Sequence, residues 1–384
     1  MEWASTRGCR QTTTLGNLDA ECQDQPGMRL ERVAAGWCQH LWGETTMTAN
    51  DRPPLVSIVV PTYKRPAMLR EALGSVLGQT LQDLEVIVCD NANDPETREV
   101  VTSFDDDRVT YVGRPENIGM MANAIDGFRR ASGELVIKLD DDDAFEPDAL
   151  ETLAAPFAGR PELTASFCDL QLVDVAGRPL VEATAKLQHD THRESLPEGL
   201  HAPSSTIAVQ GAVSLSGALL RRTAIDWLDV PEQAGTSYDL YLTVAAARDG
   251  AAAWYSHRPL VRYRIHGAND SVKNVIPSLE ASQFILREAL TSGRHGNPRP
   301  FRERMAQGDA RLAREYLLSG DNGRALRRAL RSLRVHPTRA AAAAAALSLL
   351  PRGLGTAVSR RRRAAYLGAA ERRAATRPPT AVDN

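Results

Sequence analysis

Glu134-Leu135-Val136-Ile137-Lys138-Leu139-Asp140-Asp141-Asp142-Asp143 is the stretch that decides the fold. A short aliphatic run reads as a buried strand, and this one runs straight into four consecutive aspartates. Carboxylates folded into one tight turn repel one another, so the turn is costly unless a cation is present. Hard oxygen ligands suit Mg2+ or Mn2+, which bind through one or two carboxylates and complete their shell with substrate phosphates. The bland alternative is a solvated acidic turn, and Asp105-Asp106-Asp107, in a loop before a strand, is read that way. Position separates the two runs, because 140–143 lie at the carboxyl end of a strand.

Working outward, the same pattern recurs. Val56-Ser57-Ile58-Val59-Val60 is another buried strand, broken by Pro61-Thr62-Tyr63 and followed by helical spacing at Leu69, Leu73, Val76 and Leu77. Strands are expected over 85–89 and 109–112. Helices are expected over 66–77, from Pro95 with Asp94 as N-cap, over 120–131, and from Pro147. Strand alternating with helix means an α/β domain with a largely parallel sheet. In such sheets ligands bind at the carboxyl ends of the strands. Three polar turns fall there: Pro61-Thr62-Tyr63, Asp90-Asn91-Ala92-Asn93, and 140–143. Asp90 either accepts from a nucleobase N–H or ribose hydroxyl, or merely closes its strand in an Asx-turn.

Farther along, strands are expected near 164–169, 207–213, 252–255 and 260–265, with a helix over 238–248. The polar segment 182–205, with His189, His192 and His201, reads as a long loop and a candidate lid. Helices are expected over 278–292, 302–318, 323–334 and 339–349, with a turn at Gly320-Asp321. The expected organisation is a poorly ordered extension over 1–50, with Met47 as an alternative start, then an α/β domain over 51–275. A helical region over 276–351 and a basic, disordered tail over 352–384 follow.

Composition narrows the function classes. A net charge of −2 over 384 residues offers no whole-protein electrostatic case for nucleic acid. Cys9, Cys22, Cys38, Cys89 and Cys168 make an odd count with no C-x-x-C pair, against a disulfide framework or zinc site. That points to a reducing compartment. No apolar stretch approaches the roughly 18–20 residues of a membrane span, and the N-terminus lacks a signal-peptide layout. A cytoplasmic protein is expected, with peripheral contact at the inner face of the membrane through its arginine-rich C-terminal region.

Several ordered motifs over roughly 55–270 resemble the family-2 glycosyltransferases, inverting enzymes of the GT-A fold. Val56 to Pro61 with Thr62-Tyr63-Lys64-Arg65 resembles their opening strand and turn, and Ser75-Val76-Leu77-Gly78-Gln79-Thr80 their first helix end. Glu85 to Asp94 resembles the base-binding strand, and Asn117-Ile118-Gly119 with Asn123 the approach to the D-x-D motif. Leu139 to Asp143, then Glu146-Pro147-Asp148-Ala149-Leu150, resembles that motif and its following helix. The resemblance implies a Rossmann-like, mostly parallel sheet flanked by helices. It implies that Pro61, Thr62, Tyr63 and Arg65 line the nucleotide pocket and that Asp90 holds the base, with Asn91, Asn93 and Asn117 nearby. Asp140, Asp141 and Asp142 would form the D-x-D set, with Asp142 as direct metal ligand and Asp143 an open alternative.

The same resemblance covers Thr236-Ser237-Tyr238-Asp239-Leu240-Tyr241, where Asp239 matches the acceptor-side acid and Tyr238 replaces the commoner Glu. Asp239 is thus the expected general base, against the plain alternative of a helix-start aspartate favoured by the macrodipole. Pro259 to His266 resembles the closing segment, with His266 on metal or diphosphate. Gly217 to Arg222 resembles the acceptor side, where Arg221 and Arg222 stand either in the site or on the surface. The implied reaction is single displacement from a nucleoside-diphosphate sugar to an acceptor hydroxyl of unknown identity. A sugar-phosphate nucleotidylyltransferase usually opens with a glycine-rich loop, absent here, and no G-x-G-x-x-G follows a strand. A non-catalytic nucleotide-sugar-binding or assembly protein remains the alternative from another class. The segment 305–337 is similar to one tetratricopeptide-like hairpin, expected to pack on the catalytic domain. Arg327, Arg328, Arg331 and Arg334, with Arg360, Arg361, Arg362 and Arg363, form the basic face expected to meet an anionic membrane or simply water.

Overall fold

The computed structural model describes residues 52–266 and 275–350, together with 353, 355, 357 and 358. The 1–50 extension, Met47, Cys9, Cys22, Cys38 and Arg360 to Arg363 lie outside the described residues. Strands and helices alternate at first: β1 (Val56–Thr62), α1 (Pro66–Leu77), β2 (Leu84–Asp90), α2 (Pro95–Thr102), β3 (Val109–Gly113), α3 (Met120–Arg130), β4 (Leu135–Lys138). There follow β5 (Ala144–Phe145), α4 (Ala149–Ala154), β6 (Leu163–Val173), α5 (Val181–Asp190), β7 (Gly199–His201), α6 (Ser205–Gln210), β8 (Ala218–Arg221), α7 (Tyr238–Ala246) and β9 (Ala252–Arg264). Helices α8 (Val275–Ser292), α9 (Arg299–Ser319), α10 (Asn322–Val335) and α11 (Arg339–Ser348) complete the described chain.

Among the described residues all nine strands join one sheet, in the order β3-β2-β1-β4-β8-β6-β9-β5, with β7 also on β9. Pairing is parallel through β3, β2, β1 and β4. Strand β8 then enters antiparallel to both β4 and β6, so the second half of the sheet is mixed. Strand β1 is buried on both faces, as an uninterrupted β-branched run requires. Ile58 and Val60 pack with Val86, Val88 and Ile137 under Leu69, Leu73 and Val76 of α1. Val59 faces the other way, with Ile87, Cys89 and Val136 under Ala124 and Phe128 of α3 and Leu242 of α7. Each such aliphatic side chain withdrawn from water contributes about 1.5–3 kcal/mol. Helix α3 lies so close to the sheet that a Cβ on Gly127 would stand 2.4 Å from Val59 Cγ1 and 2.8 Å from Cys89 Sγ.

Local signals decided the first half. Helix α1 occupies 66–77 as its spacing predicts, and Asp94 caps α2 by accepting from Thr97 N at 2.9 Å. Gly320 ends α9 in the left-handed region at φ 86°, the expected turn. Three expectations fail. The 182–205 loop contains helix α5 and strand β7, which pairs with β9. The strand expected over 207–213 is largely helix α6, because Val209 packs against Val244, Leu286 and Phe301. The two strands expected over 252–265 are the single strand β9, carried through by its long parallel pairing with β6.

The C-terminal helices belong to the same compact unit as the sheet. Leu286 and Ala289 of α8 and Phe301 of α9 share a core with α6 and α7, while Leu312, Tyr316 and Leu317 of α9 close on Ala325, Ala329 and Ala344. No described helix is long and apolar enough to cross a membrane.

Candidate active site

Register brings the polar strand ends together. Thr62 at the end of β1 pairs with Asp90 at the end of β2, and Val59 pairs with Lys138, so 140–143 emerge on that same edge. Strand β6 runs antiparallel to β8, which is antiparallel to β4, and β9 runs parallel to β6. The C-terminal ends of β6 and β9 and the segment before β8 therefore reach this edge too.

Asp141 locks the first turn to the acidic run. Its Oδ2 accepts from the Thr62 hydroxyl at 2.7 Å and Tyr63 N at 3.4 Å, and Oδ1 accepts from Arg65 Nη1 at 3.0 Å. Burial pushes the Asp141 carboxyl up to about 6, with Arg65 and the Thr62 hydroxyl pulling the other way. The same Arg65 nitrogen lies 2.9 Å from Asp142 Oδ2. Pro61 is half-buried beside it, and the Tyr63 ring is 45% exposed at the mouth of the turn.

Asp90 is fully buried. Its carboxylate accepts from Ala92 N and Asp94 N at 2.9 and 2.7 Å and from the Tyr111 hydroxyl at 2.7 Å, the Asx-turn geometry. The turn it closes presents Asn91, whose side-chain nitrogen donates to Asn117 Oδ1 at 2.8 Å and whose oxygen accepts from Ile118 N at 2.9 Å. Asn91 and Asn117 thus join the second turn to the loop before α3. Asn93 instead accepts from Arg98 at 2.9 Å on the surface.

Asp142 meets His266, which follows β9, with Oδ2 and Nε2 2.7 Å apart. Asp143 does not share that position. Its Oδ1 accepts from Arg264 N at 2.9 Å, and its buried Oδ2 has no hydrogen-bond partner. Burial, with the charges of Asp140 and Asp142, pushes the Asp143 carboxyl well above the ordinary range and favours its protonated form. The repulsion expected among four carboxylates is therefore met in part from within the protein, by the charges of Arg65 and Lys138 and the backbone N–H of Arg264. Among the described residues no three His, Cys, Asp or Glu side chains group to enclose an ion. The donor set that does fit a divalent cation is the Asp142 oxygen with the His266 nitrogen, an open pair that leaves most of the coordination shell to phosphate and water.

Asp239 stands in the first turn of α7, a favourable place for a carboxylate. The start of that helix is tied to α8: Ser237 Oγ donates to Ser278 O at 2.8 Å, and Thr236 Oγ1 lies 2.8 Å from Ser278 Oγ. Asp239 lines a cleft of about 240 Å3 with Asp140, Ser216, Leu170, Leu187 and Tyr263. Its side chain is 44% exposed. Although the side chain opens into the cleft, desolvation by the protein packed around it raises its carboxyl above the ordinary range, with Lys138 opposing and Asp140 adding to the rise. A larger, shallow cleft of about 400 Å3 beside Glu71, Gly74 and Arg262 holds none of the strand-end carboxylates, so size does not select the site.

Several sequence candidates lie elsewhere. Arg221 and Arg222 sit at the opposite edge, where Arg221 Nε donates to Leu163 O at 3.0 Å and Arg222 Nε to Gly133 O at 2.8 Å. The histidines of 182–205 tie their own segment, His189 to Glu194 at 2.7 Å and His201 to Pro197 O at 2.8 Å; that segment gives the cleft Leu187. Arg328 is drawn to Asp309 at 2.9 Å and leaves the basic face. Sequence reasoning missed Lys138, 3% exposed and 3.0 Å from Asp140. A lysine inside an apolar strand was the signal, since a buried ammonium needs partners.

A mixed α/β sheet with carboxylates and a helix-start aspartate converging on one edge is the architecture of the GT-A glycosyltransferases. TarS of S. aureus in complex with UDP-GlcNAc shares the fold at a TM-score of 0.54 and 15% identity, over 74% of this chain and 82% of that one. Residues 57–210 match the model of glycosyl transferase family 2. Over those residues the chain is similar to that family. A GalNAc(5)-diNAcBac-PP-undecaprenol beta-1,3-glucosyltransferase of Campylobacter jejuni is 40% identical over 103 residues, 26% of this chain and 33% of its own length. Chondroitin synthase of Pasteurella multocida is 26% identical over 251 residues, 64% of this chain and 24% of its own length. The chain thus spans a third or less of these curated relatives.

Proposed function

We propose that the protein transfers a sugar from a nucleoside-diphosphate sugar to an acceptor hydroxyl, by single displacement with inversion. The observation that carries this is the placement of Asp239, open to the cleft and facing Asp140 across Lys138, at the edge where Asp142 meets His266. Pro61, Thr62, Tyr63 and Arg65 line the nucleotide pocket. Asp90 supports the base through the turn it closes, with Asn91 and Asn117 forming the wall. Asp140 and Asp141 face the ribose and diphosphate.

Asp239 accepts the proton of the acceptor hydroxyl as general base. The acceptor oxygen forms its bond to the anomeric carbon while the bond to the diphosphate oxygen breaks, and the nucleoside diphosphate leaves. Attack opposite the leaving group inverts the centre and needs no protein nucleophile. Asp142 and His266 would hold Mg2+ or Mn2+, which neutralises charge on the diphosphate when bound. Arg65 holds the acidic turn in place beside them.

Incubation with UDP-, GDP- and dTDP-sugars and Mn2+, scored by nucleoside-diphosphate release, tests the reading. Release by the wild type and none by Asp239→Asn is expected. Sugar-nucleotide binding without release under any acceptor tried would instead favour a non-catalytic binding protein. The exposed Arg327, Arg331 and Arg334 of α10, with Leu330 44% exposed among them, support peripheral contact with an anionic membrane at its cytoplasmic face.

A further inference from the structure

Lys138 ends β4 with its ammonium inside the protein. Nζ lies 3.0 Å from Asp140 Oδ2, 3.4 and 3.5 Å from the two oxygens of Asp239, and 3.3 Å from the Tyr238 hydroxyl. An ammonium has three donors and no acceptor, and three groups from two distant segments take them all. Burial works against the charge, but Asp140 and Asp239 outweigh it and hold its pKa well above the ordinary range.

We propose that Lys138 is a positioning residue that aims the Asp239 carboxylate into the cleft and ties it to Asp140 on the donor side. The inference rests on Asp239 being the general base. Asp239 projects from the first turn of a helix into an open cleft, so without a partner its rotamer is free. The ionised groups facing it are Lys138 and Asp140, and the hydroxyls of Tyr238 and Tyr263 complete the surroundings. Remove the ammonium and Asp239 loses the counter-ion that holds it, beside the Asp140 charge, so Asp239 binds a proton at higher pH. A neutral Asp239 cannot accept the acceptor's proton. Lys138 therefore keeps the base both charged and aimed. A merely structural lysine would influence melting temperature and leave the pH profile alone.

The full chain is compared as wild type, Lys138→Met, Lys138→Arg and Asp239→Asn. Methionine matches the stem and suits a buried strand. Lys138→Met is expected to lower kcat about 10- to 100-fold with donor KM within about threefold. The acidic limb of its kcat/KM profile is expected to move up by about one pH unit. Lys138→Arg should recover part of kcat and the limb. Carboxyl 13C NMR, with the Asp239 signal assigned from Asp239→Asn, gives a reading that needs no substrate: its titration should move upward in Lys138→Met. An unmoved limb and titration in Lys138→Met, with Asp239→Asn inactive, overturns the proposal and leaves the base intact. An active Asp239→Asn sinks the base reading instead. If Lys138→Met does not fold, the neutral Lys138→Gln carries the test, since a wild-type profile at lower melting temperature in that variant would show a structural role only.

Discussion

The Asp142 carboxylate and the His266 imidazole meet at 2.7 Å across 124 residues of sequence. One follows β4 and the other follows β9, so the pair exists only when the whole sheet is assembled. Asp142→Ala is expected to abolish the gain in nucleotide affinity that Mn2+ confers, and His266→Ala to reduce it about tenfold. Asp143→Asn, whose remaining oxygen still accepts from Arg264 N, should retain it. Titration calorimetry of UDP and GDP with and without Mn2+ reads all three, and unchanged affinity in Asp142→Ala would refute the metal assignment.

With Asp239 as the proposed base, activity is expected to fall on the acid side. A base must be ionised, and burial raises this carboxyl, so the limb lies above the ordinary aspartate value of about 3.9. Asp239→Asn is expected to cost about 10^2- to 10^4-fold in transfer while donor binding stays nearly intact. Stability moves the opposite way. A raised folded-state pKa gives stability present below the unfolded value and lost as pH rises through the folded one. The asparagine variant should therefore melt no lower than wild type at neutral pH; thermal scans from pH 4 to 8 check this.

Arg65 holds Asp141 and Asp142 with one nitrogen. Arg65→Ala should loosen the first turn and weaken donor binding about tenfold, as loss of a charge-assisted bond does. Thr62→Val should do so less. Equal affinity in both variants would mean that the turn needs no such lock.

Gly127 has no room for a side chain against Val59 and Cys89. Gly127→Ala is expected to cost about 1–3 kcal/mol through overpacking, measured by urea unfolding. A wild-type midpoint would show that α3 can shift outward freely.

The exposed face of α10 carries Arg327, Arg331 and Arg334. Each basic residue near an anionic surface contributes about 1 kcal/mol, so changing all three to Gln should weaken binding to phosphatidylserine vesicles about 100-fold. Wild-type binding should fall with salt. No binding at low salt would return the face to water.

Segments whose burial is dictated by near neighbours were legible. Strand β1 and helix α1 announce themselves because their apolar positions repeat at the period of the element they form. Helix α5 has no buried residue, so its sequence lacks the apolar stripe that marks a helix. Ser205-Thr206-Ile207-Ala208-Val209-Gln210 looks like a strand and is a helix, because packing on α7, α8 and α9 outweighs local preference.

For this protein the sequence alone determined an α/β domain with polar turns at strand ends, the family motifs, and an aspartate at a helix start. Those follow from residues a few positions apart. Tertiary structure alone decided what each carboxylate touches: Asp141 to Arg65 across 76 residues, Asp239 to Lys138 across 101, and Asp142 to His266 across 124. It also turned Asp143 inward onto Arg264. The physical reason is register. Which strand lies beside which, and how far each extends, sets which side chains share an edge, and that is settled by closing the whole core at once.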